Sequence, residues 1–348
     1  PGGIIFFSEN LDTVPQTAGL IRSFQAASSI PLFMGVDEEG GSVSRLAMAK
    51  GMSAVPMPSA MTIGNTGDTT FAEQAAQAIG EQLSLLGFNM VFAPVADVHT
   101  NPDNPVIGNR AYGTDPLLVS LMAASAMEGF KSQGIIAVAK HFPGHGDTYT
   151  DTHVGMASVP HSRERMKAVE LFPFQAMIDA GVAAIMTAHV HTPGLSDKAL
   201  PATLNPDVLT GVLRDGMSFP GVTITDAMEM GAIADYYGAD EAVIMAVEAG
   251  ADMLLMPVSL ERAGIALENA VLSGRLSYER INESVARILA LKTEYELLDR
   301  TRSFFRTRPE TFSGAPEYLL LVERIRETAA AADRKSVVLG KSVDLGGR

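Results

Sequence analysis

The sequence contains no cysteine among its 348 residues. This absence excludes disulfide bonds, thiolate metal sites and cysteine nucleophiles. It is compatible with an oxidising and with a reducing compartment. The sequence also lacks an apolar run of about 18 residues, so we expect no membrane insertion. Basic residues are scarce, since 26 Lys and Arg stand against 40 Asp and Glu, a formal net charge of −14. This balance argues against nucleic-acid binding and against adsorption to an anionic membrane.

Short apolar segments alternate with longer amphipathic segments along most of the chain. Seven apolar segments are predicted to be strands buried on both faces: Gly3–Phe7, Leu32–Asp37, Met90–Asp97, Ile135–His141, Ala183–His189, Gly221–Asp226 and Asp252–Met256. Helical patterns lie between them: Ala72–Leu86, Pro116–Gln133, Arg163–Ala180, Asn205–Asp215, Asp240–Ala249 and Leu260–Ser273. This alternation predicts right-handed βαβ units and a parallel sheet.

Seven strands are one fewer than the eight that close a TIM-type (β/α)8 barrel. Because Pro1 leads directly into the first predicted strand, we expect an α/β barrel that lacks its first strand, with the natural N-terminus and any signal peptide upstream. A doubly wound open sheet is the alternative architecture.

The end of the chain has a different pattern. We assign residues 1–298 to the catalytic barrel and residues 299–348 to a linker, a helix and a truncated or foreign tail. Tyr278–Leu298 and Pro316–Ala332 are predicted helices, and Asp299–Phe312 is the predicted linker. The apolar run Ser336–Leu339 is a candidate first strand of a C-terminal α/β sandwich domain.

Polar side chains follow five of the predicted strands. In a (β/α) barrel the loops after the strands form the functional face. The residues at these positions are Asp37, Glu38 and Glu39, then Asp97 and His99, Lys140 and His141, His189 and His191, and finally Asp226. Together they predict a polar, hydrogen-bonding pocket of the kind that binds sugars.

The densest polar stretch is Lys140–Thr148, followed by Asp151 and His153. In an extended segment, residues two apart point the same way. The Asp151 carboxylate can then orient the His153 imidazole and support its pKa, as a proton-transferring histidine requires. A solvated Asp/His pair on a polar loop is the alternative.

A zinc site in the same stretch is weighed and set aside. His141, His145, Asp147, Asp151 and His153 are all metal-ligand types. His141 and His145 have the spacing H-x-x-x-H, but Pro143 and Gly144 lie between them, so these two histidines cannot share a helix face. We therefore expect no metal and no cofactor.

Asp226 stands directly at the end of an apolar strand. A carboxylate there must be hydrogen-bonded or functional, because burial of an unpaired charge is costly. A structural aspartate that caps the next helix is the alternative. Met228 and Met230 are expected to form pocket wall or core.

These segments resemble glycoside hydrolase family 3, specifically its β-N-acetylglucosaminidase branch, over roughly residues 2–295. The residues that carry the resemblance are Gly35–Gly41 with Arg45, Phe92–Val98, Ile107–Gly113, Lys140–Thr148 with Asp151–His153, and Ile224–Ala227. The family more often has serine at the position of Thr152, a difference from which we expect little effect.

The resemblance implies a retaining glycosidase that acts in two steps. Asp226 would be the nucleophile, and His153, oriented by Asp151, would be the acid/base. The substrate contacts implied are Asp37, Arg45, Arg110, Lys140, His141, His189 and Met228. The implied partners are N-acetylglucosamine-containing glycans or muropeptides, bound by a monomer. Since longer members with a sandwich domain tend to be exported, the cell envelope or extracellular space is favoured over the cytoplasm.

Three other functions stay open at this point. A neutral imidazole does not repel an anion, so phosphate can replace water and the chain can be a β-N-acetylglucosaminide phosphorylase. A non-catalytic sugar-binding barrel is the second. A barrel enzyme acting on a phosphorylated metabolite is the third, and it would need a Gly-rich phosphate loop that neither Met256–Ser259 nor Ala227–Met230 supplies.

Overall fold

The computed structural model describes residues 1–152, 155–299, 308–312 and 316–344. The predicted acid/base His153 lies outside these described residues. The strands in chain order are β1 (Gly3–Phe6), β2 (Phe33–Val36), β3 (Glu38–Gly40), β4 (Val43–Ser44), β5 (Met90–Val91), β6 (Ile136–Phe142), β7 (Ala157–Ser158), β8 (Ala184–Thr187), β9 (Val190–His191) and β10 (Val222–Ile224).

The central element is a parallel six-stranded sheet with the order β1-β2-β5-β6-β8-β10. Its register pairs Ile4 of β1 with Met34 of β2, and Ile185 of β8 with Thr223 of β10. Two short pairs accompany this sheet, an antiparallel one of β3 with β4 and a parallel one of β7 with β9.

Helices surround this sheet and are positioned by side-chain caps. Thr13, Asp68 and Asp115 each accept a hydrogen bond from a first-turn amide of the helix that follows. The α-helices are α1 (Val14–Ala27), α2 (Arg45–Met48), α3 (Ala60–Gly64), α4 (Thr69–Leu86), α5 (Pro116–Ser132), α6 (Arg163–Ala168), α7 (Phe172–Asp179), α8 (Gly231–Tyr237), α9 (Ala239–Ala249), α10 (Leu260–Leu272), α11 (Tyr278–Glu294) and α12 (Pro316–Asp344). Residues Asp207–Gly216 form a π-helix, and short 3-10 turns occupy Ser8–Asn10, Gly108–Arg110, Ala202–Leu204 and Pro309–Thr311.

The sheet curls into a half-barrel. Its inner face is one apolar cluster that runs from Phe33 of β2 to Ile224 of β10 and includes Leu291 of α11. Ile5 at one edge and Met253 beyond the other edge line the same cavity, of about 610 Å³. The edges therefore face each other, but within the described residues they do not pair. The parallel α/β fold with a curled sheet is confirmed, whereas a closed ring of eight strands is not observed in this part of the chain.

Six of the seven predicted strands are shorter than expected, and two of them differ most. Within the segment Met90–Asp97 only Met90 and Val91 form a regular ladder, and Val95 adds an isolated parallel bridge to Lys140. The segment Asp252–Met256 contributes a single parallel bridge between Met253 and Ile224. The prediction of seven full strands is therefore wrong in extent, although each segment lies at its predicted place along the sheet.

The helix predictions were wrong in two details. The single predicted helix Arg163–Ala180 is two helices, α6 and α7, because Pro173 favours a new helix start and cannot donate to the preceding turn. The run Ser336–Leu339, a candidate strand, lies within the helix α12. In the same helix Val322 and Ile325 are buried in the main core. The predicted boundary after residue 298 stays a prediction.

Candidate functional site

A cavity of about 400 Å³ lies at the carboxyl ends of the parallel strands. Six of the predicted site residues line it: Asp37, Arg45, Arg110, Lys140, His141 and Asp226. Others that line it include Phe7, His145, Thr152, Glu229 and Met230. Parallel strands bring residues from distant parts of the chain to one edge, and their position at strand ends predicted Asp37, Lys140, His141 and Asp226 here. Arg45 and Arg110 were implied by the family resemblance alone. The other polar residues expected at this edge do not line the cavity: Glu38, Glu39, Asp97, His99, His189 and His191.

Asp226 follows β10 and is held by hydrogen bonds with backbone groups of Thr187 and Ala227. Its amide donates to the carbonyl of Thr187 at 3.2 Å, and its Oδ1 accepts from the Ala227 amide at 2.8 Å. The next helix, α8, begins at Gly231 with Met230 as its N-cap, so Asp226 does not cap that helix. The alternative of a helix-capping aspartate is therefore excluded.

The electrostatic surroundings of Asp226 favour its charged form. Burial would raise the pKa of this carboxyl group, but the imidazoles of His189 and His141, the Ala227 amide and Lys140 together hold it below its ordinary value. The carboxylate therefore stays ionised at neutral pH. An ionised carboxylate facing a cavity can attack an electrophilic carbon.

Lys140 and Arg110 form a buried network with two carboxylates. Lys140 Nζ donates to Asp37 Oδ1 and contacts Glu39 Oε1, both at 2.6 Å. Arg110 binds Glu39 with both arms of its guanidinium, at 2.9 Å from Nε and 2.8 Å from Nη2. These two parallel hydrogen bonds fix the planes of the Arg110 guanidinium and the Glu39 carboxylate.

The side chain of Glu39 is buried in this network, and the sequence alone assigned it no role. Burial would raise its pKa, but Lys140 and Arg110 lower the pKa to about 2. Glu39 therefore positions Lys140 and Arg110, two of the three Lys and Arg side chains that line the cavity. The only sequence signal was its place after β2, which it shares with Glu38, whose carboxylate instead binds Ser44 and the Leu46 amide.

Arg45 is the least restrained of the three cations Arg45, Arg110 and Lys140. Its Nη2 lies 3.9 Å from Asp37 Oδ2, and its guanidinium lies over the Phe7 ring, 5.5 Å from the centroid. Its Nε is buried without a hydrogen-bond partner in the described part of the chain. A ligand that enters the cavity can accept from this group.

Asp97 organises the two histidines of the Lys140–Thr148 loop. It accepts from the His145 amide at 2.7 Å and contacts His141 Nδ1 at 2.7 Å. Since the carboxylate can only accept, His141 carries its proton on Nδ1, and Nε2 is left to accept from Arg110 Nη2 at 3.3 Å. Burial would raise the pKa of Asp97, but His141 and His145 lower it.

His145 lines the cavity as a neutral ring. Burial, together with the neighbouring His141, lowers its pKa to about 4. Its Nδ1 contacts Thr148 Oγ1 at 2.8 Å, and its Nε2 contacts Thr152 Oγ1 at 3.2 Å. Both ends of the loop segment 148–152 are thus attached to one imidazole.

The loop that carries the predicted Asp151/His153 dyad is closely packed where it is described. Gly146 leaves no room for a side chain, since a Cβ there would lie 1.9 Å from the Val98 carbonyl oxygen. Thr152 is 1% exposed, and its carbonyl accepts from the Ala232 amide at 3.2 Å. Asp151 itself is not among the residues that line the cavity. The role predicted for the dyad stays a prediction.

His189 and Met228 lie behind the cavity wall. His189 Nε2 contacts the Ala227 carbonyl oxygen at 2.9 Å, and Nδ1 contacts Thr203 Oγ1 at 2.8 Å. Met228 is 2% exposed in the main core, whereas Met230 lines the cavity. Substrate contact by His189 and Met228, expected from the sequence, stays a prediction.

The chain matches one protein family over most of its length. The profile of the "Glycosyl hydrolase family 3 N terminal domain" matches residues 1–291. Beta-hexosaminidase A of Pseudoalteromonas piscicida is 36% identical over 322 residues, which are 84% of this chain and 53% of that protein. Beta-hexosaminidase LpqI of Mycobacterium tuberculosis is 33% identical over 303 residues, 84% of this chain and 75% of that protein.

A solved structure gives the same result. The structure of a glycoside hydrolase family 3 beta-N-acetylglucosaminidase from Paenibacillus sp. str. FPU-7 superimposes with a TM-score of 0.87 at 41% sequence identity. The match covers 94% of this chain and 62% of that chain. The present chain thus spans a little over half of the length of the first of these relatives.

Proposed function

The chain belongs to glycosyl hydrolase family 3, and we propose from that premise that it hydrolyses non-reducing terminal β-N-acetylglucosamine residues with retention of configuration. The observation that carries the proposal is Asp226, an ionised carboxylate at a strand end that faces a cavity of about 400 Å³ lined with cations. The relatives named beta-hexosaminidase support the sugar class.

In this proposal Asp226 attacks the anomeric carbon and forms a glycosyl-enzyme, which water then hydrolyses. Its low pKa keeps the nucleophile charged, and its contact with the Ala227 amide at 2.8 Å fixes its orientation. His153, oriented by Asp151, would protonate the leaving oxygen and later deprotonate water. Thr152 directly precedes His153 in the sequence, lines the cavity and contacts His145. This position of Thr152 supports the role proposed for His153.

The remaining cavity residues suit the binding of a neutral sugar. Lys140 and Arg110 are balanced by Asp37 and Glu39, so the cavity offers fixed donors and acceptors with little excess charge. Each sugar hydroxyl is both donor and acceptor, which such a paired arrangement satisfies. His141 adds a ring Nδ1 that contacts Asp97 and a ring Nε2 that faces Arg110. Asp37, Arg45, Arg110, Lys140 and His141 would therefore hold the sugar hydroxyls and the acetamido group.

We extend the proposal to the fold and the substrate. The facing edges of the curled sheet fit a TIM-type barrel with one strand position open between β1 and Met253. The substrates would be peptidoglycan fragments or chito-oligosaccharides. Among the described residues no helix is both long and apolar enough to cross a membrane.

The proposal is tested with para-nitrophenyl N-acetyl-β-glucosaminide and the 348-residue chain. We expect nitrophenol release that Asp226→Asn reduces at least about 10³-fold, because the amide cannot form the glycosyl-enzyme. Asp235→Asn, a carboxylate on α8 outside the cavity, is the matched control and should keep the wild-type rate. No release from the folded wild-type chain would contradict the proposal, and a rate that depends on added phosphate would indicate phosphorolysis instead.

A further inference from the structure

We infer that Asp147, His161 and Glu170 form a binding site for one divalent transition-metal cation of the zinc class. Each residue offers one ligand atom, and these atoms all lie within 4.8 Å of one another. Asp147 lies in the loop after β6, His161 between β7 and α6, and Glu170 between α6 and α7. None of the three lines the 400 Å³ cavity, so this site is separate from the proposed active site.

The donor set has the chemistry that zinc prefers. One imidazole nitrogen and two carboxylate oxygens are common zinc ligands, and three protein ligands leave a fourth position for water. His161 Nε2 is already in direct contact with Asp147 Oδ2. Their side chains are 31% and 15% exposed, so both can adjust to the ligand spacing of a tetrahedral site.

Glu170 supplies the independent evidence for a missing ligand. Its side chain is 3% exposed, and its Oε1 accepts from Arg165 Nη2 at 3.0 Å. Its Oε2 is buried without a hydrogen-bond partner among the described residues. Buried polar atoms are nearly always satisfied, and a bound cation would satisfy this oxygen.

The site would join the loop after β6 to the segment that leads into α7. Gly144 of that loop already packs on Glu170, since a Cβ at Gly144 would lie 2.8 Å from the Glu170 Cβ. A cation would add a direct link from Asp147, two residues after His145, to the same glutamate. Residue spacing does not predict this site, because His161 and Glu170 lie beyond the histidine-rich stretch and only the fold brings them to Asp147.

The test is isothermal titration of the metal-free chain with ZnCl2, repeated with CoCl2 under absorption spectroscopy. We expect one zinc ion per chain and the visible absorption of a four-coordinate cobalt site. The same stoichiometry in Asp226→Asn would show that the ion does not bind in the 400 Å³ cavity. His161→Ala should weaken zinc binding at least about 100-fold and abolish the cobalt absorption, since it removes a direct ligand.

His191→Ala is the matched control, because His191 is half-buried and outside the cluster, and it should bind zinc as the wild type does. Circular dichroism establishes that each variant is folded, and Asp147→Asn replaces His161→Ala if the latter is not. Absence of saturable zinc binding by the folded wild-type chain would overturn the inference. Unchanged affinity in the folded ligand variant would overturn it equally.

Discussion

Replacing Glu39 with glutamine tests whether this carboxylate holds the cationic wall of the cavity. The side chain is 4% exposed and lies between Lys140 at 2.6 Å and the Arg110 fork at 2.8 and 2.9 Å. Glu39→Gln keeps the volume but removes the charge, and it turns one acceptor into an NH2 group that faces other donors. Both cations then lose a charged partner at hydrogen-bond distance.

The expected cost follows from the pKa. Its shift from 4.5 to about 2 means that the folded state favours the charged form. At about 1.4 kcal/mol per pKa unit this corresponds to roughly 3 kcal/mol. The figure agrees with the roughly 3–5 kcal/mol lost when one partner of a buried pair is removed. Because the folded pKa is depressed, this stability is present above pH 4.5 and is lost as pH falls towards 2.

Urea unfolding at pH 7 measures the stability, and hydrolysis of para-nitrophenyl N-acetyl-β-glucosaminide measures the activity. We expect Glu39→Gln to lower the free energy of unfolding by about 3 kcal/mol and kcat/KM by about 10²-fold, through misplacement of Lys140 and Arg110. Glu268→Gln, an exposed position on α10, is the matched control and should change neither. A Glu39→Gln protein with wild-type stability and wild-type kcat/KM would refute the reasoning.

Two further predictions concern neighbouring parts of the site. Burial raises the pKa of Glu38 to about 7, although the hydrogen bonds from the Leu46 amide and Ser44 act in the opposite direction. The folded state therefore favours the protonated carboxyl group. The stability that this protonated group contributes is fully present below pH 4.5 and is lost as pH rises through 7. Glu38→Gln should therefore remove a fall of roughly 3 kcal/mol in unfolding free energy between pH 4.5 and 7, and an unchanged slope in urea unfolding would contradict this. Gly146→Ala places a Cβ 1.9 Å from the Val98 carbonyl oxygen, whereas a Cβ at Gly155 meets nothing within 4 Å. Gly146→Ala should lower kcat/KM about 10²-fold and Gly155→Ala should leave it unchanged, so equal activities in this assay would show that the close approach at Gly146 does not position the loop.

The local sequence was sufficient to predict most secondary-structure elements and the edge of the sheet that carries the site. Buried parallel strands are apolar throughout, and a polar residue that ends such a run lies at a predictable edge. Asp37, Lys140 and Asp226 each follow a predicted strand, and this position predicted that they share one pocket. All three line the 400 Å³ cavity. The same local pattern could not predict where strands end, since the regular ladder of the segment Met90–Asp97 is confined to Met90 and Val91, and only an isolated bridge from Val95 to Lys140 follows.

Residue type and short-range spacing predicted the parallel α/β architecture, whereas the family and the candidate nucleophile were implied by the motifs that carry the family resemblance. Which neighbours share a contact depended instead on how distant segments pack. Glu39 joins Lys140 and Arg110, which lie far along the chain, while the adjacent Glu38 turns to Ser44. Met230 lines the cavity and Met228 is buried in the core, although both follow the same strand. Such differences arise from side-chain direction and long-range packing, which no local periodicity records.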